Sequence, residues 1–167
     1  MSGALIVTVG MGDADFAYFN RLRQTHYPAD RNQLPAHLTM FHALPPSAES
    51  EAVGLLASLA QTSAPKAQVA GLMDLGSGVA FRIVSDDLED IRARIADHFH
   101  GSLTSPDASG WRPHITIQNK VAPSVARRLQ QELERTFDPR PLRITALELH
   151  RYLGGPWEQI ARYPFRG

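Results

Sequence analysis

Residues 37–40 read His-Leu-Thr-Met, and residues 114–117 read His-Ile-Thr-Ile. Each stretch closely follows a proline, Pro35 in the first case and Pro113 in the second, and each is rich in the apolar residues that favour a strand. On a strand, residues two apart project from the same face. We therefore expect the histidine and threonine of each stretch to share one face, while the residues between them pack into apolar surroundings.

The predicted elements around these two stretches follow one order twice: strand, helix, His-x-Thr strand, helix, strand. The spacing also agrees, because Leu5 precedes His37 by 32 residues and Ala80 precedes His114 by 34. Identity between the two halves is otherwise slight, and alternating helices and strands can resemble one another without a duplication. We favour a duplication because order and spacing agree.

The repeat predicts two lobes of similar architecture that face each other across a pseudo-two-fold axis. We assign residues 1–167 to a single domain whose lobes are built around residues 4–75 and 79–153, with termini that can cross between the lobes. A chain of this length fits one domain or two small lobes that share a core.

Local signals predict where several elements begin and end. Asp13 or Asp15 is suited to cap the first helix, and Ser85 is suited to cap the third. The Ser-, Pro- and Gly-rich stretch over residues 101–111 predicts a loop. Gly154-Gly155 predicts a hairpin turn before a final strand.

The composition narrows the class of protein. There are 17 basic and 17 acidic residues and no cysteine. The charge balance favours a small substrate or the end of an RNA strand, since proteins that bind long nucleic acids usually carry a basic excess. The absence of cysteine excludes disulfides and thiolate chemistry, and it fits a reducing cytosol. With no segment of transmembrane length, we expect a cytoplasmic monomer that does not bind membranes.

The paired motifs suit phosphodiester chemistry without a metal. One neutral histidine can take a proton from the attacking water, while a protonated histidine gives one to the leaving oxygen. Histidine fits both tasks because its ordinary pKa of about 6.5 lies near working pH. His37 and His114 are the candidate proton-transfer pair. Thr39 and Thr116 are candidates to hold the phosphate oxygens.

Two such pairs are uncommon in a chain of this composition. Seven histidines and eight threonines in 167 residues give roughly 0.3 His-x-Thr pairs by chance. A metal hydrolase would need a denser set of ligands, such as a His-Glu-x-x-His helix, and a serine hydrolase would need a Gly-x-Ser-x-Gly elbow. The sequence contains neither pattern, so we expect no metal and no cofactor.

The contexts LPAHLTMFHALP at residues 34–45 and WRPHITIQNKV at residues 111–121 resemble the motifs of the two-histidine (2H) phosphoesterase superfamily. The resemblance is strongest to its 2′-5′ RNA ligase-like, or RNA 2′,3′-cyclic phosphodiesterase, family. It implies a bilobal duplicated fold of the α+β class, with two antiparallel-rich sheets and outer helices around a central cleft that holds both motifs. It also implies a nucleotide or RNA-end substrate carrying a cyclic phosphate, which is opened to a 2′-phosphate.

The same resemblance implies roles for the motif residues. In hydrolysis His37 is the acid, His114 is the base, and Thr39 and Thr116 hold the phosphate. Members of the superfamily also join RNA through 2′-5′ linkages or cleave such linkages, so these activities stay open. A protein that binds nucleotides or RNA ends without catalysis is a further alternative. A purely structural domain with accidental motifs would keep His37 and His114 far apart.

The other histidines have ordinary interpretations. His42 lies at odd spacing from His37 and is expected to face away from the motif unless a bulge turns it. His26, His98 and His100 lie near predicted helix ends, where a histidine interacts favourably with the helix dipole. His150 shares a face with apolar strand residues, and we expect it to stay outside the cleft.

A few charged and aromatic residues flank the motifs. Arg31, Arg112 and Lys120 can contact phosphate or sugar, although surface charge beside a loop is the commoner explanation. Phe41 and Trp111 can stack on a base or pack in the core. No extended basic run matches an RNA-strand groove, which favours a short or mononucleotide substrate.

Overall fold

The computed structural model describes residues 3–167. The seven strands are β1 (Leu5–Met11), β2 (Leu38–Leu44), β3 (Lys66–Asp74), β4 (Val79–Val84), β5 (His114–Gln118), β6 (Arg140–Tyr152) and β7 (Trp157–Pro164). The α-helices are α1 (Asp13–His26), α2 (Glu49–Leu59), α3 (Asp86–His98), α4 (Ser105–Ala108) and α5 (Pro123–Glu134), and two short 3₁₀ helices cover Ala29–Arg31 and Pro46–Ala48. This mixed α+β class, with antiparallel strand pairs, is the one predicted from the sequence.

The strands are hydrogen-bonded in the order β2-β1-β6-β3-β4-β5. The long strand β6 organises this arrangement because it pairs with strands of both halves of the chain. Its start, residues 140–143, pairs with β3, and residues 146–152 pair with β7. Residues 144–151 pair with β1. The two motif strands, β2 and β5, therefore lie at opposite ends of this strand order.

The two motif strands nevertheless lie side by side, because the sheet is strongly curved. β2 and β5 contact each other directly. Arg23 of α1, which follows β1, donates from Nη1 to the backbone oxygen of Thr116 in β5 at 3.0 Å. The curvature brings the two His-x-Thr stretches together although more than 70 residues separate them in the chain.

One face of the sheet forms the core with the helices. Val7, Val9, Phe81 and Ile83 are buried on this face, and the rings of Phe19 in α1 and Phe81 pack edge to face with centroids 5.1 Å apart. Alternate residues on the same strands point to the other face. This second face is open and carries the polar residues.

Strand register shows that both motifs lie on the open face. Residues directly opposite one another on paired strands project to the same side of a sheet. Thr8 of β1 lies opposite Thr39, and Arg82 of β4 lies opposite His114. Thr8 also lies opposite Glu148 of β6. The open face therefore continues from the motif strands across β1, β4 and β6.

The duplicated, bilobal layout stays a prediction, as does the division into residues 4–75 and 79–153. Strand pairing crosses between these two ranges, since β6 pairs with β1 and β3 pairs with β4. β7 extends the sheet beyond both ranges and has no counterpart in the repeated order of elements.

The predicted cap of α3 is confirmed, whereas that of α1 was wrong. Ser85 is the N-cap of α3, and its side chain accepts a hydrogen bond from the backbone N–H of Leu88. The N-cap of α1 is Gly12 rather than Asp13 or Asp15. Asp15 instead accepts a hydrogen bond from the backbone N–H of Arg143 at 2.9 Å.

The stretch over residues 101–111 was predicted to be a loop, but it contains the short helix α4. Asp107 in this helix is only 1% exposed. Within residues 3–167, no helix is long and apolar enough to cross a membrane.

Candidate active site

The structure brings all four motif residues to one cavity. His37 immediately precedes β2, Thr39 lies within it, and His114 and Thr116 lie within β5. All four line a cavity of about 310 Å³. An arrangement in which the two imidazoles face different surfaces, as an accidental pair of motifs predicts, is therefore excluded.

Both imidazoles are held in the same way. His37 Nδ1 lies 2.8 Å from the backbone oxygen of Pro35, and His114 Nδ1 lies 2.7 Å from that of Arg112. Because a carbonyl oxygen only accepts hydrogen bonds, Nδ1 carries the hydrogen in both rings. Nε2 is therefore the nitrogen left to exchange a proton with a ligand.

The two rings differ in their surroundings. The pKa of His37 is lowered from 6.5 to about 4, chiefly because burial disfavours the charged ring. The hydrogen bond to Pro35 acts in the opposite direction, while the positive charges of Arg23, His150 and His114 lower the pKa further. With this pKa, His37 is neutral at pH 7.

Side chains from distant segments donate hydrogen bonds to the backbone oxygens of the two threonines. The Thr39 backbone oxygen accepts from Trp111 Nε1 at 3.0 Å, just as the Thr116 oxygen accepts from Arg23. Each motif strand is thereby tied to a residue from the opposite half of the chain. A fixed backbone holds the threonine hydroxyls in place for a ligand without further ordering on binding.

His42 also lines the motif cavity, contrary to the expectation that it faces away. The cause is a bulge in β2: Val7 pairs with Phe41, but the next residue, Thr8, pairs with Thr39. The extra residue, Met40, changes the alternation, so His42 projects to the same side as Thr39. A bulge was the one condition under which His42 was expected to face the motif, but the sequence did not predict that a bulge occurs here.

Asp107 holds this part of β2 in place. Its carboxylate accepts from the backbone N–H groups of His42 and Ala43 at 2.9 Å and lies 3.2 Å from His42 Nδ1. Burial alone would raise the pKa of Asp107, but these hydrogen bonds outweigh burial and lower it. Asp107 was not among the predicted site residues, because a single carboxylate in a polar stretch of sequence gives no sign that it is buried.

Trp157 and His150 form a second group that the sequence analysis did not place at the site. The Trp157 ring centroid lies 4.8 Å from that of His37 and 5.3 Å from that of His150. A second cavity, of about 320 Å³, is lined by all three rings. The expectation that His150 stays outside the cleft was therefore wrong. Burial lowers the pKa of His150, and the charge of Glu148 partly opposes this.

A family comparison agrees with this geometry. A family model described as the 2′-5′ RNA ligase superfamily matches residues 12–156, a range that includes both motifs. The chain belongs to this superfamily. It is the 2H phosphoesterase group that the paired motifs resemble. No curated protein matches the chain.

Solved structures of low sequence identity share the fold of this superfamily member. TT0787 of Thermus thermophilus aligns with a TM-score of 0.67 and 17% identity over 98% of both chains. E. coli LigT complexed with 3′-AMP aligns with a TM-score of 0.59 and 14% identity over 100% of both chains. A structure described as a phosphoesterase aligns with a TM-score of 0.59 and 16% identity, covering 98% of this chain and 99% of the other.

Only some of the charged and aromatic residues that flank the motifs in the sequence lie at the motif cavity. Arg112 and Trp111 line the motif cavity, whereas Arg31 and Lys120 do not. Phe41 is fully buried in the core and cannot stack on a ligand.

The three remaining histidines are all near helix ends, as predicted. His26 ends α1 and His98 ends α3, while His100 follows α3 by two residues. His98 Nε2 lies 3.0 Å from a carboxylate oxygen of Glu51. Within residues 3–167, no group of three or more His, Asp or Glu side chains could hold a metal ion.

The fold also brings together basic residues that are far apart in the sequence. A third cavity, of about 1010 Å³, is lined by four basic residues, Lys66, Arg143, Arg162 and Arg166, and by two acidic ones, Asp86 and Asp87. It shares Thr145 and Arg162 with the second cavity. These basic residues come from three distant segments, so they form no extended basic run in the sequence.

Proposed function

We propose that this protein is a metal-independent phosphodiesterase that opens 2′,3′-cyclic phosphates of nucleotides or RNA ends to 2′-phosphates. The observation that carries the proposal is the shared cavity of His37 and His114, in which each ring has Nδ1 bonded to a backbone carbonyl. Two imidazoles oriented in this way can act on one phosphorus atom, one as acid and the other as base.

The proposed reaction needs only water and the two rings. His114 Nε2 takes a proton from water, whose oxygen attacks phosphorus. The bond from phosphorus to the 3′-oxygen breaks, and protonated His37 gives its Nε2 proton to that oxygen, which leaves a 2′-phosphate. The hydroxyls of Thr39 and Thr116 donate to the non-bridging oxygens, where charge develops in the transition state. Each proton transfer of this kind contributes about 10²- to 10⁴-fold to the rate.

The acid role of His37 requires a change in its charge on substrate binding. Its pKa of about 4 makes the ring neutral at pH 7. A phosphate anion close to the ring favours the protonated form, because opposite charges stabilise each other. We therefore propose that the substrate itself raises the pKa of His37. Binding of the phosphate thus favours the protonated form of His37 that the reaction requires.

Similar structures support a nucleotide as the substrate. E. coli LigT has been crystallised with 3′-AMP and with ATP, and it shares the fold of this chain at TM-scores of 0.59 and 0.56. Nucleotides are therefore compatible with a fold of this kind.

The basic third cavity favours an RNA end over a free nucleotide. Arg162 lines both this cavity and the second one, so a strand that starts at the motif cavity can follow a continuous surface. Cations along such a path would neutralise phosphates of the strand. A short RNA ending in a 2′,3′-cyclic phosphate should then have a higher kcat/KM than the mononucleotide. This advantage should shrink as salt increases, and equal values at low salt would contradict the RNA-end version.

The primary test is hydrolysis of nucleoside 2′,3′-cyclic phosphates in the presence of EDTA, with the product identified as the 2′-phosphate by NMR. We expect turnover that EDTA does not change. No turnover of mononucleotides or RNA ends would overturn the proposal, and so would turnover abolished by chelation. Micromolar binding without product would support the alternative, a non-catalytic nucleotide-binding protein.

The same assay can detect the other reactions of the superfamily. A 2′-5′-linked dinucleotide tests phosphodiesterase activity on that linkage. An RNA with a cyclic end mixed with an RNA bearing a 5′-hydroxyl tests ligation. Products of either reaction at a rate above that of cyclic phosphate opening would move the assignment to that activity.

A further inference from the structure

The second cavity, of about 320 Å³, lies directly beside the motif cavity, with which it shares His37 and Trp157. A nucleotide whose phosphate lies between the motifs would extend into a neighbouring space of this kind. The cavity volume is in the range of small-molecule sites. The proposed reaction steps involve only the motif cavity, so the role of the other residues that line this second cavity is a separate question.

Aromatic and carboxylate groups meet in the lining. Trp157 contributes one ring, and Phe16 of α1 contributes another. Phe16 is 36% exposed, which makes it one of the few large apolar side chains that the core does not cover. Aromatic rings beside a phosphate site are suited to stack on a base, because every base has a flat π face.

Glu148 is one of several polar residues that line this cavity, which also include Asp13, Gln159 and Arg162. Its side chain is 20% exposed. Its Oε1 accepts a hydrogen bond from Thr8 Oγ1 at 3.0 Å, and Thr8 is itself 2% exposed. Since that hydroxyl gives its one hydrogen to Glu148, it accepts from His150 Nε2 at 2.8 Å. This chain of hydrogen bonds fixes the position of the carboxylate.

The other oxygen of Glu148 retains capacity to accept. Its nearest cation is Arg162, whose Nε lies 3.6 Å from Oε2, beyond the range of a good hydrogen bond. Removing a carboxylate from water is costly unless hydrogen bonds replace the lost ones. A ligand with N–H donors would supply these bonds, and an ionised carboxylate can only accept.

We propose that this cavity is the nucleobase subsite and that Glu148 selects bases carrying an exocyclic amino group. Cytosine and adenine offer amino N–H donors to the carboxylate. Uracil has a carbonyl oxygen where cytosine has its amino group, and the negative carboxylate repels that oxygen. The proposal rests on the proposed function, since the phosphate between the motifs places the base beside Trp157.

The sharpest test compares cytidine and uridine 2′,3′-cyclic phosphates, whose bases differ at the amino position. We expect kcat/KM to favour the cytidine substrate by at least about tenfold, since a site that hydrogen-bonds an N–H group discriminates strongly against analogues lacking it. Glu148→Gln should bring this ratio close to one, because an amide can donate to the uracil oxygen as well as accept.

The matched control is Glu158→Gln. Glu158 is an exposed carboxylate on β7 that pairs with Arg151 at 3.7 Å, and it does not line the cavity. The same chemical change there should leave the ratio unaltered. Thermal melting of both variants identifies any loss of folding, and Phe16→Ala provides a second variant, which should raise KM for both substrates.

Binding of the products separates this inference from the proposed function. Cytidine and uridine 2′-phosphates bind without any chemistry, and calorimetry gives their Kd values. A preference for the cytidine compound that Glu148→Gln removes would support the base subsite even if no cyclic phosphate were turned over. Equal Kd values would overturn it. An equal loss of activity on both substrates in Glu148→Gln would overturn it too, because that result indicates a role only in holding His150.

Discussion

The two His-x-Thr stretches share their histidine, their threonine and the Nδ1–carbonyl hydrogen bond, but different side chains surround the two rings. The His37 ring lies against Trp157, and Trp157 packs in turn on His150. His114 lies on β5, opposite Arg82. Trp157 belongs to β7, which lies outside the repeated order of elements. Equivalent motifs thus supply equivalent groups, while an added strand makes their environments different.

The largest expected effect comes from removing either ring. His37→Ala and His114→Ala should each lower kcat/KM for a 2′,3′-cyclic phosphate by at least about 10²-fold. The double variant should lose little more than the worse single variant, because the two rings act as a unit. Steady-state kinetics with unchanged circular dichroism would check this. If only one of the two histidines mattered, the idea of paired acid and base would fail.

A second test uses two buried arginines that join the halves of the chain. Arg23 of α1 donates to the backbone oxygen of Thr116 in β5, and Arg92 of α3 donates to that of Met40 in β2 at 3.2 Å. Replacing either by Met leaves buried oxygens without donors, at a cost of about 1–3 kcal/mol for each group. We expect urea unfolding to show a loss on the order of 2–4 kcal/mol for both variants.

The same two variants also separate the effect of charge on the His37 pKa from the effect of lost packing. The charge of Arg23 lowers the pKa of His37, whereas Arg92 is not among the causes of that shift. NMR titration should therefore show a higher His37 pKa in Arg23→Met and an unchanged one in Arg92→Met. Equal shifts in both variants would mean that general loosening, rather than charge, raises the pKa.

The shared face of each His-x-Thr pair and the α+β class could be predicted from the sequence because both depend on local patterns. His-x-Thr on a strand fixes which side chains share a face, and Ser85 before an apolar helix pattern fixes a cap. These signals need only a few neighbouring residues. The expectation that both motifs share one cleft came from the repeat and the family resemblance rather than from a local pattern.

The parts of the site that were missed depend on tertiary contacts. His42 reaches the cavity through a bulge of one residue, which no turn residue marks. Trp157 meets His37 only because β7 returns alongside β6. Cations such as Lys66 and Arg166 are 100 residues apart and meet across the sheet. No local pattern in the sequence encodes such contacts.

A smaller effect concerns stability at acid pH. The unfolded His37 has an ordinary pKa of 6.5, and the folded one has a pKa of about 4. Between these values the unfolded chain binds a proton that the folded protein does not, so stability falls as pH drops from about 6.5 towards 4. His37→Gln should remove on the order of 2 kcal/mol of this fall, with the partial exposure of the ring taken into account. A parallel loss in both proteins, measured by urea unfolding at several pH values, would contradict the shifted pKa.

The smallest expected effect compares the N-termini of α1 and α3, the helices that follow β1 and β4. Ser85 Oγ accepts from the Leu88 N–H at 3.1 Å and donates to the Lys66 backbone oxygen at 2.6 Å. Ser85→Ala should therefore cost about 1 kcal/mol, or somewhat more because the site is buried. Gly12, the cap of α1, has no side chain, and a Cβ there would lie 3.0 Å from Arg143 Cδ. Gly12→Ser should therefore fail to give the matching gain, since crowding offsets the new hydrogen bond. A clear stabilisation of Gly12→Ser in urea would mean that Arg143 moves aside freely and that both termini tolerate the same cap.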